Sequence, residues 1–165
     1  MKLDLREILD VPGARLPFER ELDTAQLEFP SVLKYLGPVK AAGEIVNTAG
    51  VLTAAGGIDA DMLCVCDRCG REFELARHVA VDAPVVPEDE GEGEEGDAFP
   101  LEGDWLDIDG LLETVFILDM DTKFLCKPDC KGLCPKCGKN LNDGECSCRP
   151  DADPRFAVLE QLLDK

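Results

Sequence analysis

The stretch Ile58-Asp59-Ala60-Asp61-Met62-Leu63-Cys64-Val65-Cys66-Asp67-Arg68-Cys69-Gly70 changes character halfway along. Its first half alternates, with Ile58, Ala60, Met62, Cys64 and Cys66 on one side and Asp59 and Asp61 on the other. That period of two is the mark of a strand with one buried face. Its second half, Cys66-x-x-Cys69-Gly70, is a pair of metal-binding thiols in a turn. Two thiolates three positions apart can grip one tetrahedral ion, and a glycine after the second permits the positive φ that such a turn favours.

Working outward, the pattern on both sides reads as β-structure. Val39 to Val46 is apolar-rich and runs into Asn47-Thr48-Ala49-Gly50; Val51 to Ala55 follows, and Gly56-Gly57 reads as a turn. Glu72 to Val86 alternates again, with Phe73, Leu75, Arg77, Val79 and Val81 on one side. The expectation is an antiparallel meander with one buried face. Upstream, Leu5, Ile8 and Leu9 fit a short helix, and Arg15 to Leu22 fits a strand. Downstream, Asp107 to Leu118 has apolar residues at 108, 111, 112, 115 and 118, helical spacing with an Asp available as N-cap. Asp153-Pro154 opens a second predicted helix, with Pro at the first helical position and an apolar face of Phe156, Leu159, Leu162 and Leu163. Trp105 reads as a core or edge anchor, and His78 as an ordinary strand residue.

The fold class expected is therefore α+β, as one compact domain. Residues 1–87 form a β-rich core carrying the first Cys-x-x-Cys. Residues 88–104 form an acidic flexible loop, and residues 105–165 hold a helix, a cysteine-rich module and a C-terminal helix. The loop includes Glu88-Asp89-Glu90-Gly91-Glu92-Gly93-Glu94-Glu95-Gly96-Asp97, a low-complexity run whose charges repel and which cannot bury apolar surface.

Charge and cysteine usage bound the function. Lys plus Arg number 17 and Asp plus Glu 35, for a formal net charge of −18. Such a chain is repelled by phosphate backbones at long range, so a basic partner fits better than naked nucleic acid. Lys123 to Arg149 reverses the balance locally, with Lys123, Lys127, Lys131, Lys136, Lys139 and Arg149 against Asp129, Asp143 and Glu145. An ion held by four thiolates adds about −2, which nearly cancels that excess. The opening Met1-Lys2-Leu3-Asp4-Leu5-Arg6-Glu7 lacks an apolar signal region, and no apolar run approaches membrane-span length. A cytoplasmic location is expected. In that reducing compartment, clustered cysteines point to metal rather than disulfides.

There are 9 cysteines. Cys134-Pro135-x-Cys137-Gly138 repeats the form of the first motif, and Cys126, Cys130, Cys146 and Cys148 flank it. Two pairings stay open. Cys134 and Cys137 could join Cys146 and Cys148 across a loop of turn formers (Asn140, Asn142, Asp143, Gly144), leaving Cys66 and Cys69 for Cys126 and Cys130. Alternatively, the two Cys-x-x-Cys pairs share a single site. Zinc, as one or two ions, is the expected cofactor, held as a zinc knuckle by Cys66, Cys69, Cys126, Cys130, Cys134, Cys137, Cys146 and Cys148. Cys64 is the odd cysteine and reads as a small buried hydrophobe.

Other readings weigh less. Cys130-x3-Cys134-x2-Cys137 has the spacing of radical SAM clusters, but 28 residues after it leave no room for the barrel those enzymes need. A structural iron–sulfur cluster and a thiol–disulfide redox protein are further alternatives; the latter expects a βαβ context that is missing around Cys66. An all-cysteine site keeps no open position for water, which argues against zinc hydrolysis. Ser/His/Asp sets and phosphate-cradling glycine loops are absent from the sequence.

Taken together, Cys66-Asp67-Arg68-Cys69 after a β-rich half resembles the Cys-x-Arg-Cys motif of the YceD family. The run from Leu125 to Asn142, then Cys146-x-Cys148 and Asp153-Pro154-Arg155-Phe156, resembles the cysteine-rich version found in many Gram-positive members. The resemblance covers roughly residues 40–165 and is most specific in the last 40. Gly70 departs from the Leu usual there, which favours the metal-turn reading, and Cys64 lies outside the family pattern. The resemblance implies a non-enzymatic role in large-subunit ribosomal RNA accumulation or ribosome assembly, with a ribosomal protein or pre-ribosomal particle as partner. A purely structural zinc module remains as a third reading. Arg68, between the first two cysteines, is a candidate contact residue or a local partner for thiolate charge.

Overall fold

The computed structural model describes residues 2–87 and 98–148. The acidic run from 88 to 97 and the predicted terminal helix lie outside the described residues.

Strand β1 (Lys2–Asp4) leads into helix α1 (Arg6–Leu9), then β2 (Arg15–Leu22), a 3-10 turn (Thr24–Gln26), β3 (Val32–Tyr35) and β4 (Val39–Thr48). The long strands β5 (Val51–Val65) and β6 (Glu72–Val86) follow, then β7 (Phe99–Pro100), β8 (Trp105–Asp107) and α2 (Ile108–Asp119). One six-stranded sheet runs β2-β4-β5-β6-β7, with β3 beside β5, and a two-stranded ribbon joins β1 to β8. All pairings are antiparallel except β6 with β7. The protein is thus mostly β-sheet with a few helices, and the described part of the acidic-loop segment contributes the short strand β7.

The alternation read from the sequence sets the buried face. Ile58, Ala60, Met62 and Cys64 of β5 are buried, as are Val79, Val81, Ala83 and Val85 of β6. Helix α2 covers this face, starting at Asp107, whose side chain accepts from the Gly110 N–H. It buries Ile108, Leu111, Leu112 and Phe116, each side chain contributing on the order of 1.5–3 kcal/mol. Phe29 meets Phe116 edge to face at 6.1 Å. The helix sits one step round from its expected stripe: Phe116 is fully buried while Leu118 is 75% exposed. The last turn is still tied to β6, where Arg77 bonds the Asp119 carbonyl at 2.7 Å, but Leu118 faces outward there.

Gly56-Gly57 is not a turn, contrary to the sequence reading. Both lie inside β5, and Gly56 pairs with Gly43 of β4. A Cβ on Gly43 would meet the Ala55 carbonyl oxygen at 2.3 Å, and one on Gly57 would meet the His78 ring at 2.5 Å. The glycines mark close approach between neighbours rather than chain reversal. The reversal between β4 and β5 falls at Ala49-Gly50, where both residues have positive φ. Trp105 takes the edge role: it is 41% exposed on β8, with the Arg6 guanidinium over its ring at 5.7 Å.

The buried polar side chain of the core, Asn47, ties α1 to the sheet. Its Nδ2 donates to the carbonyls of Ile8 (2.7 Å) and Leu9 (2.8 Å), and its Oδ1 accepts from the Gly50 N–H (2.8 Å). Truncation to alanine strands groups that water cannot reach. Asn47→Ala should therefore cost about 2 kcal/mol, read as a lower urea midpoint at unchanged slope. A loss below about 0.5 kcal/mol, the scale of an ordinary surface change, would show that α1 is held by other means.

Candidate metal centre

The β5–β6 hairpin delivers the first cysteine pair. Cys66 to Arg71 form its tip: the Cys66 N–H bonds the Arg71 carbonyl (2.9 Å) and the Gly70 N–H bonds the Cys66 carbonyl (2.8 Å). Gly70 takes φ +67°, the conformation its sequence position suggested. Thus the turn that closes the longest hairpin of the sheet is also the turn that presents Cys66 and Cys69.

The chain leaving α2 is brought back to this tip by Asp67. Its backbone N–H donates to the Phe124 carbonyl (2.8 Å), and one carboxylate oxygen accepts from the Phe124 N–H (2.6 Å). The other oxygen accepts from the Ser31 hydroxyl at 2.6 Å. The Ser31 hydroxyl and the Phe124 N–H hold the Asp67 carboxyl below its usual range. This clamp sets Cys126 and Cys130 beside the tip. Cys66 Sγ lies 3.7 Å from Cys130 Sγ, and Cys69 Sγ lies 3.7 Å from Cys126 Sγ. All four sulfurs lie within 4.8 Å of one another.

The second cysteine pair repeats the geometry of the first. The Cys134 N–H bonds the Lys139 carbonyl (2.8 Å) and the Gly138 N–H bonds the Cys134 carbonyl (2.9 Å), with Gly138 at φ +71°. A bridge between Leu133 and Asn140 flanks this turn as strands flank the first. Cys146 and Cys148 come round to it, and the four sulfurs of Cys134, Cys137, Cys146 and Cys148 also lie within 4.8 Å of one another. The two Cys-x-x-Cys pairs therefore sit in separate groups, each completed by a different pair.

Eight of the nine cysteines fall into these groups. Cys64 lies in the apolar core at 0% exposure. The geometry fits a metal ion. A tetrahedral ion with sulfurs at about 2.3 Å spans about 3.8 Å along each edge, close to the 3.7 Å seen, whereas a disulfide would bring sulfurs to about 2.05 Å.

The local field favours the thiolate at the first cysteine of each turn. Burial opposes ionisation of Cys66, but the backbone N–H groups of Cys126, Arg68 and Cys69 outweigh it and bring this thiol down to about 6. Backbone N–H groups of Cys137 and Lys136 do the same for Cys134, also to about 6. Loss of water and hydrogen bonds from neighbouring thiols push Cys126 up to about 12. Cys148 rises to about 12 chiefly through its hydrogen bond with Cys137. A cation binding either group would displace the remaining thiol protons.

Of the residues that support the first group, Arg68 is already a candidate from the sequence, and Arg71, Asn142 and Asp143 are not. Arg68 donates to the Cys130 carbonyl at 3.1 Å, which makes it a brace between the two halves of the first group. Arg71 pairs with Asp143 at 2.6 Å. Asn142 and Asp143 read in the sequence only as turn formers; nothing in their spacing points to a role beyond the second group. Among the described residues no helix is long and apolar enough to cross a membrane.

Comparison with known proteins places the cysteine groups inside a segment shared with one family. The family model described as large ribosomal RNA subunit accumulation protein YceD matches residues 54–163, from within β5 through both cysteine groups. The large ribosomal RNA subunit accumulation protein YCED homolog 1, chloroplastic, of Arabidopsis thaliana is 34% identical over 68 residues, covering 41% of this chain and 21% of the relative. The protein of the same name from Zea mays is 38% identical over 53 residues, 32% of this chain and 18% of the relative. The matched segments thus span about a fifth of these relatives. No solved structure matches the chain. Because the family model takes in about two thirds of the sequence, including all eight grouped cysteines, the chain belongs to the YceD family.

Proposed function

We propose that the protein is a non-enzymatic, cytoplasmic accessory factor that supports accumulation of large-subunit ribosomal RNA, held in shape by two structural zinc ions in knuckle-type sites. The observation that carries this reading is the pair of closed four-sulfur groups inside the segment matched by the family model. Zinc is the natural occupant of an all-thiolate tetrahedral set, and four protein ligands leave no position for a reacting water. Cys66 and Cys69 are only 1% and 6% exposed, which disfavours attack on a disulfide substrate. The names of the relatives point to the ribosomal RNA of the large subunit. The net charge of −18 favours a basic ribosomal protein, or a pre-ribosomal particle presenting one, over naked RNA as the contact.

Elemental analysis of protein purified without added metal should give two zinc per chain. Cys126→Ser and Cys146→Ser should each lower that to one, and Cys64→Ala should leave it at two. Iron in place of zinc, or one zinc lost by neither serine variant, would overturn the metal assignment. For the partner, tagged protein should recover ribosomal proteins in a salt-sensitive manner, and its depletion should lower the ratio of large- to small-subunit ribosomal RNA. Recovery of RNA without ribosomal protein would contradict a basic protein partner.

A further inference from the structure

Asn142, in the loop between Cys137 and Cys146, reaches from the second cysteine group to the first. Its Nδ2 donates to Cys130 Sγ at 3.3 Å, so a residue carried by the second group bonds a sulfur of the first. The amide is fixed on every side. Its Oδ1 accepts from the Lys131 N–H at 2.9 Å, its backbone N–H donates to Asn140 Oδ1 at 2.9 Å, and Nδ2 also donates to that oxygen at 2.8 Å.

We infer that Asn142 is a positioning residue that couples the two metal centres, so that the first group reaches full affinity only when the second is loaded. The inference rests on the two-zinc reading above. Its physical basis is the order of dependence. The loop 138–145 joins Cys137 to Cys146, so an ion in the second group would tie its two ends together and stiffen the turn bonds that place the Asn142 amide. A hydrogen bond to a metal-bound thiolate sulfur spreads its charge and holds its orientation, and loss of such an outer contact typically weakens metal binding about 10- to 100-fold. The Leu141 N–H to the Gly132 carbonyl (2.9 Å) and the Arg71–Asp143 pair seat the loop, but neither touches a sulfur. Gly132 itself, at φ +73°, would bring a side chain to 3.1 Å from the Arg68 carbonyl oxygen, so the close approach of the second group to the hairpin tip needs that glycine.

The test equilibrates full-length protein with zinc at stepped free concentrations set by a chelator, then labels reactive thiols and quantifies each cysteine by peptide. The free zinc that half-protects Cys66, Cys69, Cys126 and Cys130 is compared in wild type, Asn142→Ala, Cys148→Ser and the double variant. Asn142→Ala keeps all eight ligands, and zinc content with unchanged far-ultraviolet circular dichroism reports that it folds. The coupling predicts a midpoint about tenfold higher in Asn142→Ala, at least as high in Cys148→Ser, and no further rise in the double variant. Midpoints within twofold of wild type in both single variants overturn the coupling. A rise in Cys148→Ser with none in Asn142→Ala, or additive rises in the double variant, overturns the assignment to Asn142. Absence of zinc protection in wild type instead overturns the underlying two-zinc reading.

Discussion

The rest of the structure depends on the meeting of the β5–β6 hairpin tip with the chain that returns from α2. Four sulfurs converge there, two from the tip and two from residues 57–64 positions further along. The sheet would hold together without them, because its ladders and the α2 core are continuous. Residues beyond Phe124 would not. They form no helix and no strand among the described residues beyond a single bridge. A segment with so little apolar burial and so few ladder bonds cannot meet its own ordering cost, and needs a cross-link of another kind. Asp67 supplies the hydrogen-bonded seat and the cysteines supply the closure.

This explains why one turn serves two purposes. The hydrogen-bond pattern that reverses a hairpin also points backbone N–H groups at the first cysteine, where they stabilise a thiolate. At the second turn the same pattern appears on a much shorter pair of flanking segments. The sheet thus supports the first group, and residues 131–133, the Arg71–Asp143 pair and the Asn142 amide join it to the second. Lys127, Lys131 and Lys136 lie on this module, in a chain that is otherwise strongly acidic. The acidic balance of the remainder is what favours a basic partner in the proposed role.

Much of this was legible from residue patterns. The alternation in β5 and β6 fixed which face is buried, because strand periodicity is local. The two Cys-x-x-Cys-Gly turns declared themselves by spacing, because their geometry is also local. What could not be read was what depends on neighbours far along the chain. Gly56-Gly57 carries the composition of a turn and serves as a contact between strands, a distinction that only pairing with Gly43 makes. Leu118 keeps the helical period yet is exposed while Phe116 is buried, since the spacing does not say which side of the last turn meets the core. The cysteine pairing stayed open between one site and two, because spacing along the chain does not say which pairs meet. Asn142 looked like a turn residue and holds a sulfur of the other group.

The central claim is that two all-sulfur centres close the cysteine-rich region onto the sheet. Zinc-edge X-ray absorption of the purified protein tests it most directly, since it reports ligand type, number and distance together. The account predicts four sulfur neighbours per zinc at about 2.3 Å and no nitrogen or oxygen in the nearest shell. A shell containing nitrogen or oxygen, or a fit needing fewer than four sulfurs per zinc, would contradict it.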